Sequence, residues 1–301
     1  MSKNNESRGL GMAAKNRLGN GIIYVILTLM SIIWLIPFVC IVCQSFRVES
    51  TWQVGYVIPK QWGLDNYINL FRSVDVEGNV SWFTTDFSQW YKNTLIMGVA
   101  VAVIQPIFVL CMSYTLSRFR FKMRKPLMKF MLILGLFPGM LTMIILYRIL
   151  KDLGMTMENS VPGLILVYTA SSAMGYYVSK GFFDTIPMSL DEAARVDGAN
   201  RAQVLLNIIL PLSKPIVIYT ILTAFMGPWA DFVLAKYISF NTSSGMNVAV
   251  GLYKWLSKDM IDTRYTMFCA GGVIVAIPVT ILFMCLQKYY VEGVTAGGVK
   301  G

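Results

Sequence analysis

The residue best suited to chemistry in this sequence is a single carboxylate. Asp231 is the only formally charged residue in the apolar run from Pro215 to Ala235. A carboxylate inside a membrane is costly and is therefore a functional candidate. Gly227-Pro228 predicts a helix break close before it, which would free backbone carbonyls for polar contacts. Counted along a helix, Asp231 lies about 24 Å from the inner end of the run, which favours a structural or gating role over direct solute contact.

A second polar group lies in an earlier apolar run. Its hydroxyl-bearing side chains are Tyr168, Thr169, Ser171, Ser172, Tyr176 and Tyr177. Hydroxyls and aromatic faces suit a neutral, hydroxylated solute, which needs hydrogen bonds without a charge partner. The same residue types also favour packing between membrane helices, and the two interpretations stay open. The predicted solute path therefore comprises Tyr168, Ser172, Tyr176, Trp229 and Asp231.

The hydrophilic segment between these two runs predicts a helix–turn–helix at the membrane surface. Ser189 and Glu192 have the S-x-x-E spacing of a capping box, which predicts the start of a short helix. Gly198 can adopt the left-handed conformation that ends it, and Asn200 can cap the helix that follows. Ala193 and Ala194 would give the first helix a smooth face that another protein could approach.

Six apolar runs bounded by charged residues would position these groups. Each is long enough to cross a bilayer as a helix, and none shows the alternating pattern of a barrel strand. The predicted spans are about 20–46, 93–117, 130–150, 159–180, 215–237 and 265–288. The sequence thus predicts an all-α polytopic membrane protein of one domain, 1–301, with an outer loop 47–92, a cytoplasmic loop 183–214 and a tail 289–301.

The charges predict the orientation of the chain. With the N-terminus inside, 16 of the 26 Lys and Arg residues fall on the inner side, so both termini are expected in the cytoplasm. This placement accounts for the net charge of +10 without a nucleic-acid partner. The five cysteines lie in apolar runs, and the chain has no histidine, so neither a disulfide framework nor a metal site is expected.

Three stretches resemble one family. Glu192-Ala193-Ala194, Gly198 and then Ile208-x-Leu210-Pro211 resemble the EAA loop of ABC importer permeases. Trp229-Ala230-Asp231-Phe232 is similar to the W-N-x-F stretch of carbohydrate permeases, with Ala230 where Asn is usual. The end of the chain, from Gly293 to Gly301, looks like the tail of MalG-type subunits of maltose and maltodextrin importers, and related galacto-oligosaccharide permeases end similarly.

The resemblance implies a type I ABC importer permease with a coupling helix that fits a cleft on an ATPase subunit. The residues expected to couple to the ATPase are Ser189, Glu192, Ala193, Ala194, Asp197, Gly198 and Pro211. Glu192 would pair with a basic residue of the ATPase, cap its own helix, or do both. The residues expected to reach the ATPases from the tail are Thr295, Gly297, Gly298 and Lys300. The alternative is a flexible glycine-rich terminus, and the match to the family's tail favours contact with the ATPases.

The family also implies the partners. They are a second, homologous permease, two ATPase subunits, an extracytoplasmic sugar-binding protein and a neutral oligosaccharide, in the cytoplasmic membrane of a bacterium. No G-x-x-x-x-G-K-[ST] pattern occurs in the sequence, so ATP and Mg²⁺ are expected on the partner subunits and no enzymatic activity on this chain.

Three alternatives remain open at this stage. The first is a permease for another sugar or a phosphorylated polyol, although an anionic solute should require basic residues within the spans. The second is an ion-coupled secondary transporter, which normally needs ionisable residues in several spans. The third is a membrane enzyme, which would need convergent carboxylates or a metal.

Overall fold

The protein is built almost entirely of α-helices, as the apolar runs predict. A computed structural model describes residues 10–136 and 138–298. The helices are α1 (Leu10–Ser45), α2 (Asp65–Phe71), α3 (Asp86–Arg118), α4 (Arg124–Gly135), α5 (Gly139–Asp152), α6 (Ser160–Ala170), α7 (Ala173–Asp184), α8 (Met188–Val196), α9 (Arg201–Val204), α10 (Leu210–Leu212), α11 (Lys214–Ala230), α12 (Val233–Ser239), α13 (Val248–Lys254) and α14 (Ile261–Gly298). A π-helical turn, Leu205–Ile209, joins α9 to α10.

Four helical segments of the described chain are long and apolar enough to cross a membrane. They are Asn20–Ser45, Asp86–Arg118, Met157–Asp184 and Ile261–Lys288. Two bent pairs would raise the number of spans to six if each pair crosses once: α4 with α5, bent by 98°, and Arg201–Leu212 with α11, bent by 86°. The protein therefore has four to six candidate spans.

The exposed side chains of α1 indicate the medium that surrounds this helix. Every side chain from Asn20 to Val39 is exposed, and Trp34 retains 72% of its surface. Soluble proteins rarely expose so continuous an apolar surface. Lipid is the medium in which such a helix is stable, because all its backbone groups are bonded within the helix and its side chains match the hydrocarbon.

Three predicted spans are interrupted in the structure. The span 130–150 is divided between α4 and α5, and the span 159–180 leaves the helix at Ser171 and Ser172. In the span 215–237, α11 continues through Pro228 to Ala230, so the break predicted at Gly227-Pro228 lies at Asp231 instead. A proline lacks an N–H group but is tolerated in a helix when neighbouring groups satisfy the freed carbonyls.

The core lies around α3, which packs against α6, α7, α11 and α13. Phe87 and Trp90 of α3 are fully buried, and the ring of Trp255 lies 6.1 Å and 5.3 Å from theirs. Trp90 fits because residue 251 is glycine: a Cβ there would lie 2.1 Å from its ring. This aromatic cluster packs the start of α3 against the segment that follows α13.

A small hairpin projects from the outer loop. Strands β1 (Arg72–Val74) and β2 (Val80–Trp82) pair antiparallel, with Ser73 opposite Ser81. Asp75 shapes the turn by accepting hydrogen bonds from the side chain and backbone of Asn79, which lower the pKa of its carboxyl below the usual value.

Candidate functional site

The loop 183–214 folds into short helices, as predicted, but the first does not begin as predicted. Pro187 occupies the N-cap position, and no side chain caps α8. Ser189 is the second residue of α8 and is exposed, so the predicted capping box with Glu192 is wrong. The extended backbone of Pro187 (φ −57°, ψ 134°) starts the helix without a side-chain cap, and Glu192 remains exposed.

The end of α8 and the start of α9 confirm the sequence analysis. Gly198 has φ +86°, the left-handed conformation. The amide of Ala199 bonds to the Ala194 carbonyl at 2.9 Å and that of Gly198 to the Arg195 carbonyl at 3.1 Å, which is a Schellman ending. Asn200 then caps α9 in a capping box with Gln203.

A buried ion pair fixes α8 to the end of α3. The Nε atom of Arg118 lies 3.3 Å from Oδ2 of Asp191, and the two side chains are only 5% and 10% exposed. Arg118 also donates to the Ile186 carbonyl at 3.0 Å and lies 2.9 Å from the sulfur of Met188. The guanidinium therefore contacts three residues of the segment that enters and begins α8.

Sequence reasoning missed this pair. Arg118 lies among basic residues that the positive-inside rule already explains, and Asp191 stands beside the more recognisable Glu192. The only available signal was the position of Asp191 on the first turn of a short helix, directly after a membrane segment. A second contact reinforces the junction, since Ser117 donates to Asp184 at 2.6 Å and Lys180 pairs with the same carboxylate.

The outward face of α8 is open. Glu192 and Ala193 are exposed, whereas Ala194 packs against the cluster around Phe183, so only one of the two alanines belongs to the predicted smooth face. Val196 retains 87% of its surface. Asp197 follows as the exposed C-cap residue. This face of α8, with exposed carboxylates beside small and apolar side chains, is a surface on which another protein can dock.

The helix that follows α9 is irregular where it turns toward the membrane. The π-helical turn Leu205–Ile209 leads into α10, and the chain then bends by 86° before α11. Pro211 is exposed in α10, and Ser213 is buried at the bend. π-Helical turns are frequent at functional sites, and this one lies between the cytoplasmic loop and a membrane helix.

Asp231 is held by contacts that make it a helix cap. Its carboxylate accepts a hydrogen bond from the Tyr168 hydroxyl at 2.6 Å and from the amide of Ala235 at 3.0 Å. The amide side chain of Asn247 donates to the carbonyls of Pro228 at 3.0 Å and of Asp231 at 2.6 Å. Asn247, which sequence reasoning missed, thereby satisfies the carbonyls that the break after α11 leaves free.

The other predicted solute-path residues are dispersed. Trp229 is buried, with its ring 5.4 Å from Tyr91. Tyr176 is half-buried on α7, and its carbonyl accepts from Ser113. Ser172 lies at the break between α6 and α7, where it accepts from Gln105. The structure brings Tyr168 into contact with Asp231, and Gln105 joins the Tyr168 carbonyl to the Ser172 hydroxyl. The contacts named for Trp229 and Tyr176 are with other residues.

The predicted tail contacts lie outside the described part of the chain. This holds for the side chain of Thr295, for the surroundings of Gly297 and Gly298, and for the whole of Lys300. Within the part of the chain that the structure describes, no three Cys, Asp or Glu side chains are grouped as a metal site would require.

The fold and the loop together define a membrane protein with a short, partly exposed helix fixed to the end of a membrane helix. Residues 110–295 match the family model described as the binding-protein-dependent transport system inner membrane component. The chain belongs to this family, which comprises the inner-membrane permease subunits of ABC importers.

Curated relatives match nearly the whole chain. The maltodextrin permease protein MdxG of Bacillus subtilis is 33% identical over 92% of this chain and 95% of its own. The galactooligosaccharides permease protein GanQ of the same organism is 36% identical over 92% and 94%. The maltose/maltodextrin permease protein MalG of Escherichia coli K12 is 31% identical over 88% and 90%.

Solved structures support the fold. A chain from a bacterial ABC transporter involved in the import of the acidic polysaccharide alginate matches with a TM-score of 0.75 and 22% identity. The match covers 96% of this chain and 100% of the other. A chain from the alginate transporter in complex with its pentasaccharide-bound periplasmic protein matches with a TM-score of 0.65.

Proposed function

We propose that this chain is one permease subunit of an ATP-driven, binding-protein-dependent importer of neutral oligosaccharides similar to maltodextrins. The proposal rests on one combination of features: one face of α8 is exposed, and the helix is fixed to α3 by the buried Arg118–Asp191 ion pair. The exposed face offers a partner a docking surface, and the ion pair fixes that surface to a membrane helix. Such an arrangement can transmit movement from a cytoplasmic partner to the membrane.

The topology that fits this function has six spans and both termini in the cytoplasm. The two bent pairs, α4 with α5 and Arg201–Leu212 with α11, each cross once in this arrangement. The distribution of Lys and Arg supports it, since α8 then lies on the positively charged side. The outer hairpin β1–β2 lies on the opposite face, where a binding protein would dock.

The mechanism is alternating access driven by a partner. Two ATPase subunits bind ATP and Mg²⁺ and close, and one of them moves α8 through its exposed face. Arg118 makes α3 follow α8, while the bend at Ser213 lets α11 change direction relative to α9. A second, homologous permease binds the other ATPase subunit and forms the rest of the solute path through the membrane. This chain binds and moves the solute and hydrolyses nothing.

The proposed substrate is neutral. The relatives' names include maltodextrin, maltose and galactooligosaccharides, and the structural neighbour imports an acidic polysaccharide. The described residues favour the former group, because basic side chains occur in the predicted spans only near their ends, at Arg148, Lys180, Lys236 and Lys288. The ammonium group of Lys236 is held over the rings of Phe232 and Tyr253. A permease for another sugar or polyol is the second candidate.

The test is uptake into vesicles containing this chain, the second permease, the ATPase and the binding protein. Labelled maltodextrin should accumulate only with ATP and the binding protein. Excess unlabelled neutral oligosaccharide should compete, and a uronate oligosaccharide should not. Competition by the uronate alone would replace the neutral substrate class with an acidic one, and ATP-independent uptake driven by an ion gradient would exclude the importer.

A further inference from the structure

The break between α6 and α7 lies deep inside a membrane span. It falls near the middle of the segment Met157–Asp184, with Ser171 outside helical geometry (φ −79°, ψ 52°). Irregular backbone at such depth is tolerated only where protein or a water-filled cavity surrounds it. Gln105 of α3 supplies part of that surrounding, because its side chain donates to the Tyr168 carbonyl at 3.1 Å and to the Ser172 hydroxyl at 2.9 Å.

A cavity of about 170 Å³ opens beside this break. Polar side chains reach it from three helical segments: Gln105 from α3, Ser171 and Ser172 from the break, and Thr220 and Thr223 from α11. Among the described residues that line the cavity, none is charged. The arrangement presents an amide and several hydroxyls at one depth in the membrane.

Some of these groups are available to a ligand. Ser171 is exposed, and within the described residues its hydroxyl makes no hydrogen bond. The exposed Thr223 hydroxyl donates to the Tyr219 carbonyl at 2.9 Å, which leaves its oxygen lone pairs free to accept. Lipid cannot satisfy such groups, so their open side must face a polar medium.

The open side continues along α11. Gly227 and Ala230 follow Thr223 at helical spacing, and all three are exposed. A Cβ added at Gly227 would meet nothing within 4 Å. Beyond the cavity, this face of α11 therefore carries only small side chains and is open.

We propose that the cavity formed by Gln105, Ser171, Ser172 and Thr223 is a subsite for one ring of a neutral sugar on the transport path. The inference rests on the proposed function, since a second permease would supply the opposite wall. Sugar hydroxyls would donate to the Thr223 oxygen and both donate to and accept from Ser171, and no charge is required. Gln105 acts as a positioning residue, because its amide protons already fix the break.

The test compares two double variants in the complete reconstituted importer. Ser171→Ala with Thr223→Val removes two hydroxyls from the cavity at nearly constant volume. Ser31→Ala with Thr28→Val removes the same groups from the exposed surface of α1. The first pair should raise the apparent KM for uptake about threefold to tenfold for each hydrogen bond lost, and the second should leave it unchanged.

A second measurement keeps the proposal testable if the first pair assembles poorly. Ser171→Cys and Ser31→Cys are made in a background from which the five native cysteines have been removed. A small, water-soluble thiol reagent should label position 171 and not position 31, and saturating sugar should slow that labelling. Equal KM values for the two pairs, or absence of labelling at 171 in every transport state, would overturn the subsite. Failure of the wild type to import with ATP would instead overturn the proposed function.

Discussion

Arg118 and Asp191 form an ion pair in the interior of the protein, 3.3 Å apart, although they are 73 positions apart in the chain. One ends a membrane helix and the other lies on the first turn of the cytoplasmic helix α8. Because both are almost wholly removed from solvent, neither can lose its partner without leaving a buried charge unpaired. The pair therefore fixes the start of α8 to the end of α3.

Removal of one member should destabilise the protein strongly. Asp191→Leu leaves Arg118 buried and unpaired, which is expected to cost about 3–5 kcal/mol. The double variant Arg118→Met with Asp191→Leu should recover most of that loss, because an apolar pair of similar volume leaves no charge behind. Thermal unfolding of the detergent-solubilised subunit measures both effects.

The exposed pair Arg148–Asp152 is the matched control. These side chains are 78% and 68% exposed. Asp152→Leu should change stability by no more than about 0.5 kcal/mol, the size of an exposed i,i+4 pair. An Asp191→Leu variant as stable as Asp152→Leu would show that the buried pair does not hold α8.

Asp231 should tolerate loss of its charge. Asp231→Asn keeps one side-chain oxygen, which can accept from both the Tyr168 hydroxyl and the Ala235 amide as Oδ2 of Asp231 does, so uptake should persist. Asp231→Leu removes the cap, which is worth about 0.5–2 kcal/mol, and should reduce the yield of folded protein. Uptake assays with both variants separate a capping role from proton coupling, in which Asp231→Asn would abolish transport as completely as Asp231→Leu.

Gly251 should not accept a side chain. In Gly251→Ala, the new Cβ would lie 2.1 Å from the ring of Trp90, and overpacking of this kind typically costs about 1–3 kcal/mol. Gly272→Ala is the control, since nothing lies within 4 Å of its added Cβ. Unfolding midpoints should fall for the first variant and stay level or rise for the second; equal midpoints would contradict the packing described.

The sequence predicted those features that local physics determines. Uncharged runs predicted the membrane helices, Gly198 predicted the end of α8, and Asn200 predicted the cap of α9. It could not predict Arg118–Asp191 or the Asn247 contacts, because these join segments that are distant in the chain and consist of residue types common at any loop.

The errors have a related cause. Ser189 and Glu192 matched a capping pattern, but Pro187 already fixed the start of the helix. Gly227-Pro228 predicted a break that tertiary contacts moved to Asp231. In both cases the sequence predicted the right kind of feature, a helix start or a helix break. The surrounding residues determined where in the chain that feature lies.

The most direct test of coupling through α8 compares two double variants. Each carries one Glu→Ala and one Gly→Pro substitution, and in the proposed topology the two pairs lie on opposite faces of the membrane. Glu192→Ala with Gly198→Pro removes the exposed carboxylate and replaces a glycine at φ +86°, a conformation closed to proline. Glu77→Ala with Gly78→Pro makes the same change in the outer hairpin, where φ is +85°. ATP-driven uptake is measured in vesicles after co-purification has verified assembly of the membrane subunits. Loss of uptake in the first variant alone is the predicted result, and normal uptake by that variant would contradict the coupling role of α8.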